Sequence, residues 1–180
     1  NNPLDPVRSI AAGKVVHVSR LAGASNYGRY IVFEHDWGYG KFYSLYAHLA
    51  AVSCQPGQPV RPGTAIGKLG YSGAGIDRTR AHLHLELNMM VSPRFEKWYR
   101  SHFTSPNRHG LYNGLNLVGL DIAGLYQAHQ RNPSITIPKF MSGMQVYWKV
   151  LIANKGTPEL LNLYPWLARN MADAGANPSW

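Results

Sequence analysis

The sequence has little cysteine and no long apolar run, and each shortage excludes a class of protein. Its 180 residues include one cysteine, Cys54, so an internal disulfide and a zinc site built from several thiolates are both excluded. Any metal would have to be held by histidine or carboxylate side chains. No apolar run approaches the roughly 18 to 20 residues needed to span a bilayer, so the sequence predicts no transmembrane segment.

Acidic residues are also scarce. Nine Asp and Glu stand against 18 Lys and Arg, which gives a formal net charge of +9 at pH 7 with neutral histidines. Such an excess favours an acidic partner, for example nucleic acid, anionic lipid or the bacterial cell wall. The positive charge is spread evenly over both halves and contains no run of consecutive basic residues, so binding of nucleic acid is not expected.

The apolar content is sufficient for a folded core, since 45% of the residues are hydrophobic and 12% aromatic. Short β-branched runs between Gly- and Pro-rich turns fill the first half and predict antiparallel strands. The composition changes after Met90, so we predict a mainly β domain at 1–90 and an α+β extension at 91–180. The predicted strands are 9–19, 30–35, 41–49, 59–61, 64–70, 81–87, 134–140 and 144–153, and the predicted helices lie at 93–103, at 119–130 and from Thr157 onward.

The sharpest local feature is the tripeptide His82-Leu83-His84. In a strand, alternate residues share a face with side chains roughly 7 Å apart, so this pattern places His82, His84 and Glu86 together. One imidazole of such a pair can bind a metal ion while the other contacts a water molecule or substrate beside it. A pair with a purely structural role is an equally good interpretation of the tripeptide alone, because so short a motif recurs by chance.

Four further segments precede this tripeptide in a fixed order. Together the five segments resemble the lysostaphin-type zinc endopeptidases of bacterial cell walls, and the resemblance covers about residues 5–90. The resemblance implies a lysostaphin-type antiparallel β fold for this part of the chain. The segments are VRSIAAGKVV (7–16), YGRYIVFEH (27–35), LYAHL (45–49), VRPGTAIGKLG (60–70) and AHLHLEL (81–87).

The resemblance also implies an activity and a set of site residues. His84 corresponds to a zinc ligand, His82 and His48 to a catalytic pair that acts on the attacking water and the oxyanion, and Tyr71 to a residue bordering the substrate groove. The implied activity is zinc-dependent hydrolysis of peptide bonds in the stem peptides or cross-bridges of peptidoglycan. The implied location is the bacterial cell envelope, either periplasmic or secreted.

One part of the family pattern is missing from this sequence. The family has two further zinc ligands, a His and an Asp spaced as HxxxD, upstream of the segment at 7–16. Residues 1–5 keep that spacing with Asn1 in the histidine position, and we expect that Asn1 is not the native start rather than that Asp5 binds metal. One protein ligand does not hold zinc. The alternative is therefore a non-catalytic member of the same fold that binds cell wall or regulates a hydrolase.

Other residues carry weaker expectations. His35 and Cys54 are expected to be structural, and His17 is expected on the surface of a strand. Gly73 and Gly75, in the loop at 71–75, are expected to let a peptide backbone come close. Glu86 is either a support for His84 or an ordinary surface residue.

Overall fold

Antiparallel β-strands are the main regular structure in the first 120 residues of the computed structural model, which describes residues 2–147 and 156–168. The strands of the described residues are β1 (Pro6–Arg8), β2 (Gly13–Ser19), β3 (Tyr30–Asp36), β4 (Lys41–Ala47), β5 (Leu49–Val52), β6 (Pro59–Val60), β7 (Ala65–Leu69), β8 (His84–Met90) and β9 (Leu117–Gly119). Six of them form one sheet in the order β6-β2-β3-β4-β8-β9, and three form a second sheet in the order β1-β7-β5. All neighbouring pairs are antiparallel, which confirms the predicted fold class.

The main core draws buried side chains from both sheets. Val7 and Ile66 come from the smaller sheet, while Phe33 and Tyr46 come from adjacent strands of the larger one. Leu83 and Leu85 pack against the same cluster. The leucines of the alternating segment at 81–87 therefore face the core, as predicted. The histidines of that segment point to the opposite side.

Phe33→Ala is expected to lower the free energy of unfolding by about 3 to 5 kcal/mol. The Phe33 side chain is fully buried and its ring meets Tyr46 edge-on at 5.5 Å between centroids, so truncation leaves a cavity in the core. Urea denaturation followed by tryptophan fluorescence measures the change. Leu21→Ala is the control, because Leu21 is 71% exposed and its loss is expected to change stability by less than about 0.5 kcal/mol.

Two strand predictions need adjustment near the site. The predicted strand 41–49 is divided into β4 and β5, which belong to different sheets, and the division falls at His48. The predicted strand 81–87 begins only at His84, so His82 precedes the strand rather than lying within it.

Helices occur mainly after residue 94. The α-helices of the described residues are α1 (Phe95–His102), α2 (Ile122–Arg131), α3 (Ile137–Ser142) and α4 (Glu159–Leu163), and α1, α2 and α4 confirm predicted helices. The strand predicted at 134–140 is wrong. Thr136 caps a helix there, with its side chain accepting a hydrogen bond from the backbone N–H of Lys139, and Pro138 fits its first turn. Of the strand predicted at 144–153, residues 144–147 are irregular and residues 148–153 lie outside the described residues.

The chain divides into two compact units. The first comprises Asn1–Trp37 and Lys41–Leu120, and the second comprises Gly38–Gly40 with the described residues from Asp121 on. The first unit continues past residue 90 because β9 pairs with β8, with Leu117 opposite Met90. The division into domains 1–90 and 91–180 stays a prediction.

Among the described residues, no helix combines the length and the apolar character required to cross a membrane.

Candidate active site

His48 meets the distant pair His82 and His84 at the edge of the larger sheet where β4 ends and β8 begins. His84 opens β8 opposite Ala47, the last residue of β4, and His48 follows directly. The ring centroid of His48 lies 4.8 Å from that of His82 and 5.4 Å from that of His84. One ring nitrogen from each of the three histidines lies within 4.8 Å of the others. Among the described residues, no other group of three His, Cys, Asp or Glu side chains is arranged so that it could bind a metal ion.

The backbone of His48 explains how its side chain reaches this edge. Its φ of 60° lies in the left-handed region, which residues other than glycine seldom adopt. The conformation interrupts the alternation that places Tyr46 in the core, and the chain passes at this point from β4 into β5 of the other sheet. The His48 N–H donates to the Tyr27 carbonyl at 3.0 Å, which holds the turn in place.

The loop at 70–75 fixes the orientation of the His48 ring. Nδ1 of His48 lies 2.9 Å from the carbonyl oxygen of Ser72 and must donate to it, since a carbonyl only accepts. The ring therefore keeps its lone pair on Nε2 whenever it is neutral. Burial lowers the pKa of His48, and the hydrogen bond to Ser72 opposes this only in part, so the neutral form is favoured.

Gly28 and Gly73 allow two loops to cross beneath this histidine. Both have positive φ, and an added Cβ at Gly73 would collide with the Asn26 carbonyl oxygen, while one at Gly28 would collide with the backbone of Ser72. The close approach expected between Gly73 and a substrate backbone is therefore made by the protein's own chain. The crossing brings the Ser72 hydroxyl to 2.9 Å from the Arg29 N–H and 2.8 Å from the Leu49 carbonyl.

His82 is oriented by the turn that precedes β8. Its Nδ1 lies 2.7 Å from the Arg80 carbonyl and donates to it, which leaves the lone pair of the neutral ring on Nε2. Arg80 ends a single 3-10 turn whose N-cap is Asp77, and the Asp77 carboxylate accepts from the backbone N–H groups of Thr79 and Arg80. Asp77 thus acts as a cap for the loop that carries His82.

His84 is held by Glu86 on the same face of β8. Nε2 of His84 lies 2.5 Å from Oε1 of Glu86, which also accepts from the Tyr27 hydroxyl at 2.9 Å, and Oε2 accepts from Asn88 at 2.9 Å. Burial raises the pKa of the Glu86 carboxyl, but the hydrogen bonds from His84, Asn88 and Tyr27 outweigh burial and hold the pKa below its usual range. An ionised carboxylate only accepts, so Nε2 of His84 carries a proton, and when the ring is neutral the lone pair is on Nδ1.

One protein family matches the part of the chain that contains this histidine group. The model of peptidase family M23 matches residues 1–94, which is half of the chain and contains all three histidines. The chain belongs to peptidase family M23. This confirms the family predicted from the five sequence segments.

Solved structures similar to this M23 chain include two peptidases. The catalytic domain of the antimicrobial peptidase lysostaphin from Staphylococcus simulans is 30% identical, with a TM-score of 0.40, and the match covers 48% of this chain and 60% of that one. A zinc-containing peptidase from Vibrio cholerae is 31% identical, with a TM-score of 0.41, and the match covers 48% of this chain and 24% of that one. The M23 chain thus spans less than two thirds of either structure. No curated protein matches the chain.

A cavity of about 920 Å³ in the M23 chain is lined in part by the Ser72 loop. Tyr71, predicted to border the substrate groove, lines it and is 43% exposed. Arg29 and Arg78 also line the cavity, and no acidic residue does so among the described residues. Most of the remaining wall is small or apolar, and its members are Pro3, Leu4, Ala22, Gly23, Ala50, Gly70, Gly73, Ala74 and Ile76.

Three weaker expectations for the M23 chain can be compared with the structure. His35 is fully buried, with Nδ1 2.7 Å from the Ala12 carbonyl and Nε2 2.7 Å from the Ser44 hydroxyl, as expected for a structural residue. Cys54 is also buried, and burial raises the pKa of its thiol. The carboxylate of Asp5 accepts from the backbone N–H of Asn2 and is not part of the histidine group.

The expectation for His17 is wrong. Its ring stacks on Tyr30 at 5.0 Å between centroids and also contacts Tyr112, so it lies between the sheet and the later chain rather than on a strand surface. Burial, followed by the nearby His109, lowers the pKa of His17. The pattern of β2 alone predicts a surface position for His17, because Tyr112, which contacts its ring, lies 95 positions further along the chain.

Proposed function

We propose that this M23 chain is a zinc-dependent endopeptidase that hydrolyses peptide bonds in the stem peptides or cross-bridges of bacterial peptidoglycan, at the cell envelope. The observation that carries the proposal is the convergence of His48, His82 and His84. Each imidazole uses one nitrogen in a hydrogen bond to the protein and keeps the lone pair of the other available. Three convergent imidazoles with this hydrogen bonding suit metal-assisted acid–base chemistry.

Imidazole nitrogen is a preferred zinc ligand, so the chemistry of these side chains suits a zinc ion. We assign His84, through Nδ1, as one of the several ligands that a zinc ion requires. A bound zinc ion would polarise the scissile carbonyl and make water more acidic. Its binding would be supported by Glu86, because a carboxylate that accepts from the second nitrogen of a ligating histidine fixes the ring and increases its basicity.

His48 and His82 are assigned as the catalytic pair. Nε2 of either ring can accept a proton from the attacking water and can later donate one to the leaving amine or to the developing oxyanion. The backbone carbonyls of Ser72 and Arg80 hold Nδ1–H of the two rings, so proton exchange is confined to Nε2. The lowered pKa of His48 favours the form that acts as a base.

The cavity lined in part by the Ser72 loop supports an extended, anionic peptide as substrate. Its small wall residues leave room for a peptide backbone, and Tyr71 offers an exposed aromatic surface. Arg29 and Arg78 supply positive charge without a lining carboxylate to neutralise it, and the whole chain carries a net charge of +9. An anionic cell-wall polymer is the partner that this charge favours.

The proposal is tested with the full-length protein and purified peptidoglycan sacculi. New amino groups are expected to appear in the presence of zinc, to disappear after chelation, and to return when zinc is restored. Binding to sacculi without zinc uptake and without new amino groups would contradict the proposal and would support the non-catalytic alternative. Zinc content per chain is measured by elemental analysis of the same samples.

A further inference from the structure

The chain between α1 and β9 contacts the face of the larger sheet that carries His84 and Glu86, although this segment lies outside the residues that match the M23 family. Nδ1 of His109 shares a hydrogen bond with the Tyr30 hydroxyl at 2.8 Å. The guanidinium of the neighbouring Arg108 donates to the Ala24 carbonyl at 3.3 Å. Two consecutive residues thus attach this segment to the start of β3 and to the loop before it.

Tyr27, in that same loop, lies between this segment and the histidine group. Its ring meets the His109 ring edge-on at 5.7 Å and the His84 ring edge-on at 5.5 Å between centroids. The Tyr27 hydroxyl is also close to Gly114, 3.8 Å from where a Cβ would be. The position of the Tyr27 ring is therefore determined from one side by the later segment and from the other by His84.

The Tyr27 hydroxyl connects these contacts to the assigned zinc ligand. It donates to Oε1 of Glu86 at 2.9 Å, and the same oxygen accepts from Nε2 of His84. Displacement of Tyr27 removes one of the three donors that hold the Glu86 carboxylate, so that only Asn88 and His84 itself still orient it. A carboxylate held by fewer donors fixes less firmly which nitrogen of His84 carries the proton.

We propose that His109 is a positioning residue for His84 and that it acts through Tyr27 and Glu86. His109 holds Tyr27, Tyr27 holds Glu86, and Glu86 keeps the proton of His84 on Nε2, which leaves the lone pair of the neutral ring on Nδ1. A residue outside the family-matched segment is thereby part of the machinery of the site. The inference rests on the proposed function in that His84 is taken as the zinc ligand.

The first test uses the metal-free, full-length protein and needs no activity. Long-range ¹⁵N–¹H NMR of the imidazoles reports which nitrogen of His84 is protonated. The Nε2–H tautomer is expected to dominate in the wild type and to lose its dominance in Tyr27→Phe and in His109→Ala. A tautomer ratio unchanged in both folded variants would overturn the proposal, whether or not the protein binds zinc.

The second test measures the zinc dissociation constant of the same variants by competition with a chromophoric chelator. Tyr27→Phe is expected to weaken zinc binding about 10- to 100-fold, the usual effect of losing a group that supports a ligand. His109→Ala is expected to weaken it by up to tenfold, and in the Tyr27→Phe background it is expected to have no further effect. Additive effects of the two substitutions would overturn the proposed route. Absence of zinc binding in the wild type would instead contradict the proposed function, and the NMR result would still decide the positioning role.

Two matched variants separate positioning from loss of folding. Tyr30→Phe removes the hydrogen bond to His109 without changing ring packing, so it replaces His109→Ala if that variant does not fold. Tyr112→Phe is the control, because it makes the same chemical change on a ring that contacts His17 and Tyr43 rather than Tyr27. The control is expected to leave the His84 tautomer and the zinc dissociation constant unchanged.

Discussion

His84→Ala is expected to abolish both zinc binding and peptide-bond hydrolysis. His84 is the assigned ligand, and its Nε2–H is fixed by Glu86 so that Nδ1 is the atom with a lone pair to offer. Alanine has no donor atom, and a carboxylate that remains beside an empty position cannot restore the imidazole geometry. Elemental analysis of the purified full-length variant gives the zinc content, and release of amino groups from sacculi gives the activity.

The control for this substitution is His129→Ala. His129 is an exposed histidine in the last turn of α2, so its loss removes an imidazole without affecting the histidine group. Wild-type zinc content and activity are expected. A zinc content near the wild-type value in His84→Ala would contradict the assignment of His84 as a ligand.

His48→Ala and His82→Ala are expected to retain zinc and to lower kcat by about 10²- to 10⁴-fold each, the usual range for loss of a general acid or base. Both rings have Nδ1 engaged with a backbone carbonyl, so each has a single nitrogen with which to exchange protons. The double variant is expected to be no more than slightly slower than the slower single variant, because the two residues act in the same proton transfers. Steady-state kinetics on a fluorogenic peptide and elemental analysis of the same samples provide the two measurements.

The outcome that contradicts this division of roles is specific. If zinc is lost equally in the variants of His48, His82 and His84, all three imidazoles are ligands rather than one ligand and a catalytic pair. If kcat is unchanged in either His48→Ala or His82→Ala while zinc is retained, that residue takes no part in proton transfer.

The histidine group itself was predictable, but the way it is built was not. Strand alternation correctly separated His84 from the core-facing Leu83 and Leu85. It placed His82 in the same strand, whereas His82 precedes β8 and is oriented by the Arg80 carbonyl. The left-handed backbone of His48 has no local signal in the sequence, because it is held by the carbonyl of Tyr27, which lies 21 positions earlier.

The sequence predicted only some of the residues that support His84. Strand alternation places Glu86 on the same face as His84, so a role in supporting His84 was one of the two predictions for Glu86. Tyr27 and His109 were not identified, since they are separated from Glu86 by 59 and 23 positions and meet only when the sheet is assembled. The regular spacing of a strand gives information about neighbours on that strand and none about side chains that arrive from other parts of the chain.

The crossing at Gly28 and Gly73 also bears on the order in which the molecule folds. The two glycines are 45 positions apart, and closing a loop of that length costs conformational entropy before any contact is gained. The hairpin formed by β3 and β4 involves only neighbouring parts of the chain and can assemble sooner. Ser72 orients His48 only after the crossing has formed. The strands of the sheet are therefore expected to assemble before the active site, and hydrolytic activity is one of the last properties that a newly synthesised chain acquires.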